Sequence, residues 1–251
     1  MNPYLAEFLG TTILVLLGNG VVANVMLTGT KGHAGGLIVI AFGWAMAVFV
    51  AVWCVTDASG AHLNPAVTIG LWVAGKFAFG KVFGYVLAQM LGGVAGGALV
   101  FFFYRDHYLA TADPAAKLAT FATAPAIRNP PSNLFSEAVG TAVLVMAGLL
   151  ATDPSISGAV RTSAAAAEST TIGLGSLGAI PVGLVILAIG LSLGGTTGYA
   201  INPARDLGPR IAHALLPIPG KGTSDWDYAW IPVVGPILGA LAATGVWKLL
   251  T

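Results

Sequence analysis

Charge is what this sequence has least of. Only 8% of its 251 residues are Asp, Glu, Lys or Arg, against about 25% in a soluble domain. A chain this poor in charge cannot cover a water-exposed surface with polar groups. The net charge of +1 excludes the basic balance of a nucleic-acid binder and leaves no polybasic tail. One cysteine, Cys54, excludes an intrachain disulfide. Its neighbours Ala51, Val52, Trp53 and Val55 are apolar, so a packed thiol is expected. Histidine is scarce as well, with His33, His62, His107 and His213 alone. No metal-ligand spacing and no nucleophile–base set stands out, so neither a cofactor nor enzyme chemistry is expected. The first apolar stretch lacks a basic segment before it and runs too long for a cleavable leader.

Apolar length is what the sequence has instead. Apolar residues make up 56% of it, and a membrane span needs roughly 20 of them in a row. Six segments qualify: about Leu5–Leu27, Ile38–Val55, Val82–Tyr104, Leu134–Ala151, Ile180–Leu193 and Tyr228–Leu250. Glycine is abundant inside them, with 34 in the chain, and small residues let helices pack closely in lipid. Two further apolar pieces are too short to span. One follows Asn64 to about Val73, the other follows Asn202 to about Leu215, and each opens with Asn-Pro-Ala. Asn before a Pro at the first helical position is a good helix start. Two half-helices are therefore predicted.

The chain also repeats itself. The run Ala6-Glu7-Phe8-Leu9-Gly10-Thr11 resembles Ser136-Glu137-Ala138-Val139-Gly140-Thr141, and Gly60–Ala66 resembles Gly198–Ala204. Each half, about 1–104 and 133–251, holds three spans and one half-helix within a single domain 1–251. Three is odd, so the second half enters the membrane from the opposite side, as an inverted repeat. The half-helices then meet Asn to Asn near the midplane. The joining segment, about 105–132, carries several prolines and reads as an irregular surface loop. A second loop, about Thr152–Ala179, reads as a connector, with a lid as the minor alternative.

The convergence of two helix N-termini carries the functional argument. Each presents unpaired N–H groups and a positive partial charge. The Asn64 and Asn202 amides can cap their helices and still offer N–H donors. Such a place accepts a hydroxyl or water oxygen and repels cations, which suits a pore for neutral solutes. Arg205 follows directly, and a charge at membrane depth lines a wet cavity or meets a partner. A constriction donor is the favoured reading; a salt bridge with Asp206 or Asp57 is the structural alternative. Glu7 and Glu137 hold matching places in the two halves. A proton relay is one reading. The better one is that each carboxyl braces a re-entrant loop by accepting its backbone N–H groups. His62 reads as a brace of the same loop.

These motifs resemble the aquaporin family, over nearly the whole chain. The resemblance rests on Ser59-Gly60-Ala61-His62-Leu63-Asn64-Pro65-Ala66-Val67-Thr68, on Asn202-Pro203-Ala204-Arg205-Asp206-Leu207-Gly208-Pro209, on Ala6–Thr11 and on Gly235-Pro236. It implies an all-α membrane protein: a right-handed bundle of six transmembrane helices with two re-entrant half-helices. By motif-relative position it also implies a filter of Trp44, Gly190, Tyr199 and Arg205. Gly190 stands where water-selective members carry a bulky His, and is expected to leave room. Asp206, Arg210 and the pair Pro232-Val233 resemble the glycerol-facilitator subgroup. Tyr199 departs from the Phe usual in bacterial members. The implied function is passive passage of glycerol and related polyols with water. Protonated lactic acid and a water-selective channel stay open, and an ion-coupled transporter is the rival of another class. The resemblance further implies a homotetramer in the cell membrane with both termini cytoplasmic. The charge count runs against that orientation, with Lys76, Lys81, Arg161 and Lys248 inside and Lys31, Arg105, Lys117, Arg128, Arg210 and Lys221 outside.

Overall fold

The computed structural model describes residues 1–152 and 175–251 throughout, and between them the backbone of 155–163 and 166–173. Among the described residues, six helices are long and apolar enough to cross a membrane. They are α1 (Pro3–Met26), α2 (Gly36–Ser59), α4 (Phe79–Phe103), α7 (Pro130–Leu150), α8 (Ile180–Leu193, preceded by a 3-10 turn) and α10 (Ile231–Leu250). Two shorter helices, α3 (Pro65–Val73) and α9 (Pro203–Leu215), start at the Asn-Pro-Ala motifs. The protein is thus a predominantly helical, multi-pass membrane protein. Large apolar side chains such as Phe83, Phe102 and Leu184 are exposed on its outside, as lipid contact requires.

Asn-Pro starts four of these helices. Asn2, Asn64, Asn129 and Asn202 sit in extended conformation before α1, α3, α7 and α9, and each side chain accepts from a first-turn N–H. The proline that follows needs no partner for a missing N–H. The first long helix and the half-helix of each half therefore begin alike.

Packing exchanges the half-helices between the halves. Helix α1 lies on α2 and α4, and α7 lies on α10 and α8. Yet α3 packs against α10, and α9 against α4. Glycine permits this approach. A Cβ on Gly93 of α4 would stand 2.3 Å from the Ala204 carbonyl oxygen of α9. On the other side, a Cβ on Gly70 of α3 would stand 3.5 Å from Ala240 Cβ of α10.

Three expectations change. The 105–132 segment is more ordered than a loop: it forms α5 (Arg105–Ala110) and α6 (Pro114–Ala119) and buries Tyr108, Lys117 and Phe121. Thr152–Ala179 includes two antiparallel strands, β1 (Ser155–Ser163) and β2 (Ala166–Gly173). Cys54 is exposed on α2 rather than packed, because its side of the helix faces outward between the buried Ala51 and Val55.

Candidate functional site

The two half-helices meet at their first residues, and their asparagines lock the junction. Asn64 Oδ1 accepts from Ala66 N at 2.9 Å, and Asn64 Nδ2 donates to the Ile201 carbonyl at 2.8 Å. Asn202 mirrors it, with Oδ1 accepting from Ala204 N and Arg205 N, and Nδ2 donating to the Leu63 carbonyl at 2.8 Å. Each amide thus gives one N–H to the opposite half. One N–H per amide remains, fewer than the sequence suggested.

The loops leading to the asparagines share an unusual backbone. Ala61 and Leu63 have φ of 49° and 51°; Tyr199 and Ile201 have 38° and 45°. Left-handed non-glycine residues cost of order 1–3 kcal/mol each and persist only when their surroundings hold them. Here the holders are two buried glutamates. Glu7 accepts from Ser59 Oγ (2.6 Å), His62 N (3.0 Å), Leu63 N (2.7 Å) and Gln89 Nε2 (2.7 Å). Glu137 accepts from Thr197 Oγ1 (2.6 Å), Ala200 N (3.0 Å) and Ile201 N (2.8 Å). The His62 ring reaches Thr68 Oγ1 through Nδ1 at 3.1 Å and packs against Phe77 and Tyr85. Gln89 and Thr68 tie the same network together at 2.9 Å. Sequence reasoning missed both, although Gln89 was visible as a lone amide in an otherwise apolar span.

A cavity of about 270 Å³ runs past this junction. Its walls are mostly aliphatic, with Val48, Leu144, Val182 and Ile186 among them, and its polar edge carries Asn64, Asn202 and Arg205. Trp44 and Tyr199 line it as well. The Arg205 guanidinium lies over the Trp44 ring, 4.0 Å from its centroid. The alternative pairing of Arg205 with Asp206 does not form: Asp206 is paired with Arg210, both side chains being fully buried. Gly190 departs from expectation in one respect. A Cβ there would meet Tyr199 Cζ at 3.0 Å and the Tyr199 hydroxyl at 3.1 Å. The space left by glycine is filled by the tyrosine ring.

Comparison with known proteins follows this geometry. The sequence profile of the major intrinsic protein family matches residues 1–247. A probable glycerol uptake facilitator protein of Thermotoga maritima is 50% identical over 250 residues, covering 100% of both chains. The glycerol uptake facilitator protein of Streptococcus pneumoniae R6 is 49% identical, covering 99% of both. The X-ray structure of the aquaglyceroporin from Plasmodium falciparum superposes with a TM-score of 0.79 at 31% identity, covering 98% of this chain and 94% of that one. With profile, relatives and fold in agreement along its length, the chain belongs to the major intrinsic protein family.

Proposed function

We propose that this protein is a passive channel for small neutral solutes, with glycerol as its principal substrate and water passing too. The observation that carries this reading is the cavity itself: a mostly aliphatic lining, a few polar side chains, and two helix N-termini meeting beside it. A polyol has the matching pattern, carbon on one side and hydroxyls on the other. The N–H groups of the two re-entrant loops are turned to Glu7 and Glu137. That leaves carbonyls of these loops to accept solute hydroxyls, while Arg205 and the free amide hydrogens of Asn64 and Asn202 donate. The converging positive helix ends oppose cations and protonated water.

In this reading Trp44, Gly190, Tyr199 and Arg205 form the filter, and Asn64-Pro65-Ala66 with Asn202-Pro203-Ala204 form the junction. Glu7, Glu137 and His62 brace the loops. The chain is one channel domain of two inverted repeats, assembled as a homotetramer with the termini in the cytoplasm. Four of the six cations assigned outside have structural partners. Lys117 donates to the Pro219 carbonyl, Arg128 and Arg210 pair with Asp225 and Asp206, and Lys221 caps α9. These partners give the four cations structural roles beside any part in orientation.

The deciding experiment is stopped-flow light scattering on proteoliposomes, with an impermeant osmolyte, with glycerol, and with lactic acid at low pH. Fast glycerol re-swelling without dependence on ion gradients is expected. Fast water flow without glycerol uptake would make it a water channel. Lactic acid uptake without glycerol uptake would reassign the solute.

A further inference from the structure

The filter lies beside a buried ion pair that the pore chemistry does not use. Arg210 Nε donates to Asp206 Oδ1 at 2.9 Å, and neither side chain is accessible. Both partners also reach the segment that joins the two halves. Asp206 Oδ2 accepts from Thr123 N and from Thr123 Oγ1, each at 2.7 Å. Arg210 Nη2 donates to the Thr123 carbonyl at 2.9 Å. Every polar atom of Thr123 is therefore held by this pair. Arg210 Nη1 meanwhile fixes the far loop through the Ser224 carbonyl at 2.8 Å.

Thr123 in turn lies against the filter loop. A methyl group added to Gly198 would meet Thr123 Cγ2 at 3.3 Å, so about a methyl's width separates Thr123 from the glycine just before Tyr199. Three residues further on, Ala126 N donates to the Thr196 carbonyl at 3.0 Å. The joining segment thus bonds to the filter loop at 196 and lies close to it at 198, while Gly190 of α8 and its C-cap Gly194 adjoin the Tyr199 ring. Arg205 is the residue before Asp206. The other half has a counterpart at the same distance from its asparagine, where Thr68 is anchored by Gln89 and His62. Each half-helix carries a polar anchor four residues after its Asn, and this one points at the joining segment.

We propose that Thr123, clamped by Asp206 and Arg210, is a positioning residue for selectivity: it sets where Tyr199 and Arg205 stand without itself touching solute. This rests on the channel reading above and identifies the joining segment as part of the selectivity machinery. The backbone at Tyr199 and Ile201 is left-handed, a conformation that persists only while its surroundings hold it. Loosening the clamp changes the width between Trp44, Tyr199 and Arg205, and a filter matched to a polyol then discriminates differently between glycerol and water.

The test is the glycerol-to-water permeability ratio, measured by stopped flow on proteoliposomes and normalised to folded protein. Thr123→Val keeps bulk and removes the hydroxyl donor; Thr123→Ser keeps the donor. Thr123→Val is expected to shift the ratio by about fivefold, the worth of one net hydrogen bond, and Thr123→Ser to restore it. Arg210→Lys, which keeps charge but loses the fork, shifts it in the same direction. A Thr123→Val protein that is monodisperse and keeps the wild-type ratio overturns the proposal. So does equal loss of both permeabilities, which assigns the clamp to folding alone. If Arg210→Lys does not fold, Thr123→Val decides. Wild-type protein in the same assay tests the channel reading separately, because absent glycerol flux there fails that reading whatever the variants do.

Discussion

Gly190 shows how far a single residue is decided by its neighbours. In sequence it is an absence of bulk. In the folded protein it is contact surface for Tyr199. Gly190→Ala alone therefore overpacks the proposed filter, at a cost of about 1–3 kcal/mol if nothing yields. The yielding group is the tyrosine ring, which moves toward the pore. Glycerol permeability is expected to fall several-fold more than water permeability, measured by stopped flow on the same vesicles. Equal loss of both would separate Tyr199 from the filter. Glu7 makes the complementary point. It satisfies four donors at once, and an amide has only one acceptor oxygen. Glu7→Gln leaves at least one buried donor unpaired, for about 1–3 kcal/mol. A lower melting temperature in detergent is the expected result, with unchanged selectivity in the folded fraction. A folded Glu7→Gln channel that leaks protons would instead assign the carboxyl to proton handling.

At the scale of elements, the half-helices are held by ends and by close contact. Helix α9 is capped by Asn202 at its start. At its end Lys221 Nζ donates to the carbonyls of His213, Ala214 and Leu216. Those carbonyls carry the negative end of the helix dipole, so a cation there is favourable. Lys221→Met is expected to lower thermal stability by about 1 kcal/mol and to leave the permeability ratio unchanged, since the proposed filter residue Arg205 lies at the other end of α9. Against α4 the same helix has no slack. Gly93→Ala sets a methyl 2.3 Å from the Ala204 oxygen, where no flexible side chain can give way. Expression of folded protein should collapse in that variant, read by size-exclusion chromatography. Normal yield would mean that α9 is free to slide outward. The Asp206–Arg210 pair belongs to this scale too. Removing one partner of a buried pair costs about 3–5 kcal/mol, which is why the clamp is better probed through Thr123.

For the whole molecule, the exchange of half-helices makes the two halves interdependent. Neither can close its own interior, because α3 is covered by α10 and α9 by α4. Orientation is a property of this scale as well, and labelling can read it. In a Cys54→Ala background, Lys76→Cys and Lys31→Cys place single thiols on exposed loops at opposite faces. A membrane-impermeant maleimide applied to whole cells is expected to label Lys31→Cys and spare Lys76→Cys. The reverse pattern would turn the protein over.

The amino-acid order by itself settles the number of spans, the two half-helices and their asparagine starts. Apolar length, Asn-Pro capping and a repeated motif are local or one-dimensional signals, readable without contacts. The Asn2-Pro3 and Asn129-Pro130 starts belong with them, although the second stood inside an apparent loop. Glu7 and Glu137 were legible as braces because each is a lone acid in an apolar span. What they bind was not, since their partners lie about 50 to 80 positions away. The filling of Gly190 by Tyr199, the release of Arg205 from Asp206 and the clamp on Thr123 were decided only by tertiary structure. Each depends on which of several chemically suitable partners comes within reach, and distance across the fold is what the order of residues does not contain.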